Sequence, residues 1–181
     1  MDATHLRWLP NAITIARLAA LPVLAAVILT ADGETTRAGG ILFAAVCATD
    51  WIDGRLARWL DAESRLGRVL DPLADRLVIA VGLAGLIVLG RIAWPGPALI
   101  LARDAASIAA FVWFARRGVV LRVDAAGKVS SALVMIATAL ALLLDAASVD
   151  VVFWIAVAGS LATFANYART VARLPQPARE G

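Results

Sequence analysis

Four aspartates at fixed spacing are the residues of this chain best suited to chemistry. They lie in one segment, Asp50-x2-Asp53-Gly54-x2-Ala57-Arg58-x8-Gly67-x3-Asp71-x3-Asp75. Carboxylate oxygens are the hard ligands that Mg²⁺ or Mn²⁺ prefers, and the segment contains no His or Cys that would favour zinc. Four carboxylates exceed what one dication needs. The spacing therefore predicts a two-metal site that binds a diphosphate.

Helical periodicity explains how these acids meet. At 100° per residue, Asp50, Asp53, Gly54 and Ala57 share one helix face. On the next helix a second stripe has a spacing of four, and it comprises Gly67, Asp71 and Asp75. The short Leu60–Leu66 connection predicts an antiparallel hairpin in which the two stripes converge. The structural alternative is pairing of the acids with nearby arginines (Arg55, Arg58, Arg68, Arg76), which we disfavour because buried ion pairs seldom stabilise a fold.

The composition predicts an all-α integral membrane protein. Of 181 residues, 61% are hydrophobic and 17% charged, with a mean hydropathy of +0.82, whereas soluble domains are near half apolar. The single Cys47 excludes a disulfide framework and a Cys-based metal site. The apolar runs predict six transmembrane helices, at about Ala12–Thr30, Ala38–Leu60, Arg68–Gly90, Trp94–Ala115, Ala126–Leu144 and Val151–Ala172.

These spans form one expected domain, residues 1–174, followed by a disordered tail at 175–181. Met1–Pro10 is short and mixed, which is typical of an interfacial helix on the lipid headgroups. In the second and third spans the purely apolar parts, Ala38–Thr49 and Leu77–Gly90, are too short to cross a ~30 Å hydrocarbon core. Their polar halves therefore predict a protein-lined cavity that opens at the aspartate hairpin.

The distribution of basic residues predicts the orientation. Thirteen of the 17 lysines and arginines fall in the N-terminal segment, the 2–3 hairpin, the 4–5 connection and the tail. The opposite connections carry Asp32, Glu34, Asp145 and Asp150. By the positive-inside rule, both termini and the hairpin lie on the cytoplasmic side of the inner or plasma membrane. The pI near 10.0 then reflects lysine and arginine side chains on the cytoplasmic side that face anionic lipid. We therefore expect no nucleic-acid partner.

The aspartate segment resembles the full signature of the CDP-alcohol phosphatidyltransferase family, without a gap or substitution. Pro10-Asn11-x2-Thr14-x2-Arg17 in the first span and Gly127-Lys128 at the fifth are also similar to family patterns. The resemblance implies a six-helix, homodimeric enzyme that moves a phosphatidyl group from CDP-diacylglycerol to an alcohol and releases CMP.

The resemblance also implies roles for individual residues. Asp50, Asp53, Asp71 and Asp75 would hold the Mg²⁺ or Mn²⁺ pair, and Asp75 would take the proton of the acceptor hydroxyl. The residues implied for the CDP site are Asn11, Thr14, Gly54, Ala57, Arg58 and Ser64. Expected acceptor contacts are Lys128, Arg103 and Arg17; for Arg103, pairing with Asp104 to anchor the bundle is an equal alternative.

Different features of the sequence indicate different acceptors. The first-span motif and Gly127-Lys128 resemble the branch that makes phosphatidylglycerophosphate from glycerol 3-phosphate, although Ser130 stands where that branch often has a second basic residue. Leu101-Ala102-Arg103-Asp104 resembles the cardiolipin synthase branch, whose acceptor is phosphatidylglycerol. An inositol-phosphate acceptor is less favoured. Two other classes, a small cation transporter and a lipid-binding scaffold without catalysis, remain as alternatives.

Small residues at helical spacing predict close helix packing at two places. The first patch is Gly82 and Gly85, and the second is Ala158, Gly159 and Ala162. Either patch could form a dimer face.

Overall fold

The computed structural model describes the backbone of residues 9–60, 67–115 and 125–172, and the side chains of residues 15–49, 74–110, 112–114 and 126–170. These residues form six helices: α1 (Leu9–Leu29), α2 (Arg37–Leu60), α3 (Gly67–Val88), α4 (Pro95–Ala115), α5 (Ala125–Leu143) and α6 (Ala147–Ala172). No strand occurs among the described residues. The all-α prediction is confirmed.

The helix bounds agree with the predicted spans to within a few residues, with one informative difference. Helix α6 begins at Ala147 rather than at the predicted Val151. Asp150 therefore lies in its first turn, where the partial positive charge of a helix N-terminus favours a carboxylate. A helix start chosen by hydropathy leaves out an acidic residue such as Asp150. The predicted start at Val151 is therefore four residues beyond the observed one.

Within the described part of the chain, three helices are long and apolar enough to cross a membrane, at Pro95–Phe114, Ala126–Leu143 and Ala147–Thr170. Shorter apolar stretches occur at Ile15–Leu29 and Arg37–Thr49. The chain is thus a multi-pass membrane protein, and six crossings remain a prediction. The predicted interfacial helix extends to residue 10, but α1 already includes Leu9 and Pro10, and the rest of that segment lies outside the described residues. So does the predicted disordered tail.

Helix α3 is at the centre of the bundle, where it contacts α1, α2, α4 and α5. Among the described helices, α5 and α6 make the most extensive contact. Large apolar side chains fill the space between the helices, and the fully buried ones include Leu24, Phe43, Leu83, Leu142 and Phe153. The helix that carries Asp71 and Asp75 is therefore held from several sides.

Two glycines of α3 allow this close approach. A Cβ placed on Gly82 would lie 2.4 Å from a ring carbon of Phe43 on α2, and one on Gly85 would lie 2.7 Å from Cγ2 of Ile28 on α1. Their predicted packing role is confirmed. The second patch differs, because Gly159 has nothing within 4 Å of such a Cβ and its neighbours Ala158 and Ala162 are exposed. A role of this patch in a dimer face remains a prediction.

The end of α3 positions a buried arginine. Gly90 adopts a positive φ of 67°. The amide of Gly90 donates to the carbonyl of Ile87, and that of Arg91 donates to the carbonyl of Leu86, as in a Schellman motif. Because glycine tolerates this left-handed conformation, the chain turns sharply and Arg91 enters the interior next to the α5–α6 connection.

Candidate active site

Arg17 of α1 and Asp75 of α3 form an ion pair. The Nη1 atom of Arg17 donates to Oδ1 of Asp75 over 2.9 Å. The arginine side chain is 4% exposed, whereas that of Asp75 is 34% exposed. The guanidinium is thus enclosed by protein, and the carboxylate it contacts lies at the boundary of an accessible space.

The packing of α1 on α3 accounts for this meeting. Ile28 contacts Gly85 near one end of the two helices, and Arg17 contacts Asp75 nearer the other. Arg17 is eleven residues before Ile28, and Asp75 is ten residues before Gly85. The two helices therefore run side by side in the same direction. At 1.5 Å per residue, the Arg17–Asp75 pair lies about 15 Å nearer the helix N-termini than the Ile28–Gly85 contact.

A second ionic cluster joins α3 to α4. Arg76, which follows Asp75 directly, donates to Oδ1 of Asp104, and Nη1 of Arg103 donates to the same oxygen over 2.7 Å. Asp104 and Arg103 are buried. The sequence indicated Arg76 as a possible partner of the signature aspartates, but its described partner is Asp104.

The cluster carries one excess positive charge, because two guanidinium groups share one carboxylate. Nε of Arg103 is buried and has no hydrogen-bond partner among the described residues. Its contact with Asp104 agrees with the anchoring alternative for Arg103. An acceptor contact through the remaining donors stays a prediction.

Lys128, the other expected acceptor contact, is exposed in the first turn of α5. Two residues later, Ser130 is buried and its hydroxyl donates to the carbonyl of Gly127 over 3.1 Å. Ser130, which stands in the place of a second basic residue, thus uses its hydroxyl in a hydrogen bond to the backbone of its own helix. Lys128 remains the cationic side chain of this turn that faces outward.

Several predicted site residues lie beyond the described side chains. The backbone at Asp50, Asp53 and Asp71 is helical, as it is at Gly54, Ala57, Arg58, Asn11 and Thr14, but the side chains of these eight residues are not described. Ser64 lies in the undescribed segment 61–66. Among the described residues no group of three or more His, Cys, Asp or Glu could hold a metal. Asp75 is the one described member of the predicted metal set, and its accessible carboxylate suits a hard cation.

The sequence interpretation missed the role of Arg91. This side chain is 2% exposed; Nη1 donates to Asp150 over 2.6 Å and Nη2 to the carbonyl of Leu144 over 3.0 Å. A signal for it was present, since a lone arginine follows the third span while Asp145 and Asp150 flank the connection at the same end of the bundle. Opposite charges in two connections at one end of a bundle favour contact.

Comparison with known proteins gives the family. The sequence model of the CDP-alcohol phosphatidyltransferases matches residues 7–163. A CDP-diacylglycerol--glycerol-3-phosphate 3-phosphatidyltransferase of Pseudomonas fluorescens is 38% identical over 79 residues, 44% of this chain and 40% of that protein.

Two mycobacterial proteins match over longer stretches. A probable phosphatidylglycerophosphate synthase of Mycobacterium tuberculosis (strain ATCC 25618 / H37Rv) is 34% identical over 115 residues, 62% of this chain and 55% of that protein. A putative cardiolipin synthase of Mycobacterium bovis (strain ATCC BAA-935 / AF2122/97) is 37% identical over 101 residues, 53% of this chain and 45% of that protein. The matched region spans about half the length of these relatives. Because the family match includes the whole aspartate segment, five of the six helices entirely and most of the sixth, the chain belongs to the CDP-alcohol phosphatidyltransferase family.

Proposed function

We propose that this protein transfers the phosphatidyl group of CDP-diacylglycerol to glycerol 3-phosphate, giving phosphatidylglycerophosphate and CMP. Family membership and the names of two of the relatives above support this reaction. The contact between Phe43 and Gly82 supports the metal site that this reaction needs, because it brings α2 and α3 close together.

That contact has a geometric consequence for the aspartates. Asp50 is seven residues beyond Phe43 on α2, and Asp75 is seven residues before Gly82 on α3. The step from Phe43 to Asp50 and the step from Gly82 back to Asp75 both lead toward the connection between α2 and α3. Seven residues make almost two helical turns and cover about 10 Å along the axis. Helix geometry therefore puts positions 50 and 75 at the same level and on the facing sides. Position 71, eleven residues from Gly82, shares the facing side of α3 by the same reasoning.

The first helix supports the nucleotide site in the same way. Because α1 and α3 run in parallel, position 14 on α1 is level with position 71 or 72 on α3, and position 11 lies one turn lower. Thr14, level with Asp71, and Asn11, one turn from it, are at the positions expected of residues that contact CDP together with Gly54, Ala57, Arg58 and Ser64.

The four aspartates would hold a Mg²⁺ or Mn²⁺ pair, a fit that rests on their hard oxygen donors and on the shared level of positions 50 and 75. When bound, such ions would neutralise the diphosphate and stabilise the leaving CMP. Arg58 would add a donor to the same diphosphate. The acceptor hydroxyl oxygen forms the new bond to the lipid-bearing phosphorus as the bond to the CMP oxygen breaks, and Asp75 accepts the hydroxyl proton. Nothing in the sequence pairs a nucleophile with a base, so a single displacement is expected.

The acceptor site would combine Lys128 with Arg103. The excess positive charge of the cluster formed by Arg76, Asp104 and Arg103 suits a phosphorylated acceptor. A second candidate, cardiolipin synthesis with phosphatidylglycerol as acceptor, is favoured by the Mycobacterium bovis relative. We further expect a homodimer in the inner or plasma membrane, with the aspartate end and both termini cytoplasmic.

The decisive experiment uses purified protein, labelled CDP-diacylglycerol, Mg²⁺ or Mn²⁺, and a panel of acceptors. CMP release that requires glycerol 3-phosphate and stops with EDTA is expected. Asp75→Asn should abolish release, whereas the matched control Asp145→Asn, an exposed acid near the ends of α5 and α6, should retain it. Release only with phosphatidylglycerol would establish the second candidate. No release with any acceptor would contradict transfer and favour a scaffold or transporter.

A further inference from the structure

We propose that Arg17 is a positioning residue for Asp75: it holds the carboxylate at one oxygen and limits, by its charge, how tightly a cation binds there. This inference rests on the proposed function and gives Arg17 a role different from an acceptor contact. The observation behind it is the bond of 2.9 Å between Nη1 of Arg17 and Oδ1 of Asp75.

The burial of the two partners is unequal, and this asymmetry indicates which one is fixed. Arg17 is 4% exposed and is set in α1 by the packing of that helix on α3, whereas Asp75 is 34% exposed. A guanidinium enclosed by protein loses little further freedom when it binds a carboxylate. Arg17 therefore acts as the fixed partner, and it restricts the rotation of the Asp75 side chain.

The neighbouring residue is held by a different helix. Arg76 binds Asp104 of α4, so consecutive residues of α3 are tied to two different helices. The backbone at position 75 is thus anchored through Arg76, and its side chain through Arg17. This arrangement suits a carboxylate that must accept a proton from one direction.

The charge of Arg17 predicts an effect that a purely structural residue would not have. A guanidinium bonded to Asp75 repels any dication that binds the same carboxylate. Removing the charge in Arg17→Gln should therefore tighten Mn²⁺ binding by about tenfold, while the loosened Asp75 lowers kcat by at least about tenfold. A residue that grips the acceptor phosphate would instead raise the KM for the acceptor.

The experiment measures Mn²⁺ affinity by electron paramagnetic resonance, without substrates, and kcat and both KM values by CMP release. Wild-type protein, Arg17→Gln, Arg17→Lys and the control Arg91→Gln are compared. Arg91→Gln also removes a buried guanidinium in an ion pair, but at the far end of α3. It should lower thermal stability and leave Mn²⁺ affinity within about twofold of wild type.

Arg17→Lys retains the charge without the planar fork, so it should keep wild-type Mn²⁺ affinity and still lower kcat. It also serves as the test if Arg17→Gln does not fold. Weaker Mn²⁺ binding in Arg17→Gln, or a raised acceptor KM with unchanged kcat in either variant, would overturn the inference. An inactive wild-type protein would overturn the proposed function instead, and the Mn²⁺ affinities would still test the role of Arg17.

Discussion

The ring of Phe43 lies against Gly82 so closely that no side chain fits between them: a Cβ on this glycine would be 2.4 Å from the ring. Phe43 is fully buried, so the ring has little room to yield. The same Cβ would also lie 3.0 Å from Cγ2 of Thr138 on α5. Because this contact lies where α2 packs on α3, we expect a change here to alter the approach of the two helices at positions 50 and 75.

Gly82→Ala is therefore expected to lower both stability and activity. Overpacking of a filled core costs about 1–3 kcal/mol, which exceeds the gain of about 1 kcal/mol that alanine brings to a helix interior. Separation of α2 from α3 should reduce kcat more than KM. The thermal midpoint and CMP release measure the two effects.

The matched control is Gly159→Ala, also within a helix but with nothing within 4 Å of the new methyl group. It should be neutral or slightly stabilising in a monomer. Equal losses in both variants would show that the Phe43 contact does not set the geometry of the site. A loss of dimer in the control alone would identify the α6 patch as a subunit interface.

The pair of Arg91 with Asp150 should be important for stability and unimportant for catalysis. Nη1 of Arg91 is 2.6 Å from the Asp150 carboxylate, and a hydrogen bond between charged groups contributes about 2 kcal/mol. Asp150→Asn should therefore lower the thermal midpoint with KM and kcat unchanged.

The neighbouring acid provides the comparison for that measurement. Asp145 is 3.6 Å from Arg91 and 70% exposed, so Asp145→Asn should cost less than about 1 kcal/mol. If the two substitutions have the same effect on the thermal midpoint, the burial of Arg91 does not strengthen its bond to Asp150.

Much of the fold follows from the sequence because a membrane requires long apolar helices and the chain has clear breaks between them. The six helix positions were predicted to within a few residues, and the packing role of Gly82 and Gly85 follows from their size. The start of α6 was missed because Asp150 serves the helix N-terminus, an effect that hydropathy does not measure.

The partners of charged residues were harder to predict than their presence. The signature gives the types and spacing of the aspartates, but the pairing of Arg17 with Asp75 depends on how α1 packs on α3. Likewise Arg76 binds Asp104 because α4 contacts that side of α3. Contacts between distant helices depend on the packing of the whole bundle, which the spacing within one segment does not contain.

Asp104→Asn should be strongly destabilising, because it leaves Arg76 and Arg103 as adjacent positive charges without a shared carboxylate. Breaking a buried ion pair from one side costs about 3 kcal/mol. The double variant Arg103→Met with Asp104→Asn removes one of the two charges and should recover part of the loss. Thermal unfolding measures both, and a double variant less stable than the single one would contradict the proposed repulsion.

Lys128→Gln tests whether the acceptor binds through a phosphate. Its ammonium is exposed in the first turn of α5 and lies in the segment that matches the family. Loss of this charge should raise the KM for glycerol 3-phosphate by about tenfold, with the KM for CDP-diacylglycerol unchanged. Arg169→Gln, which removes an exposed charge from the last turn of α6, is the control and should change neither value. An unchanged acceptor KM in Lys128→Gln would place the acceptor phosphate elsewhere, with the buried Arg103 as the next cation to test.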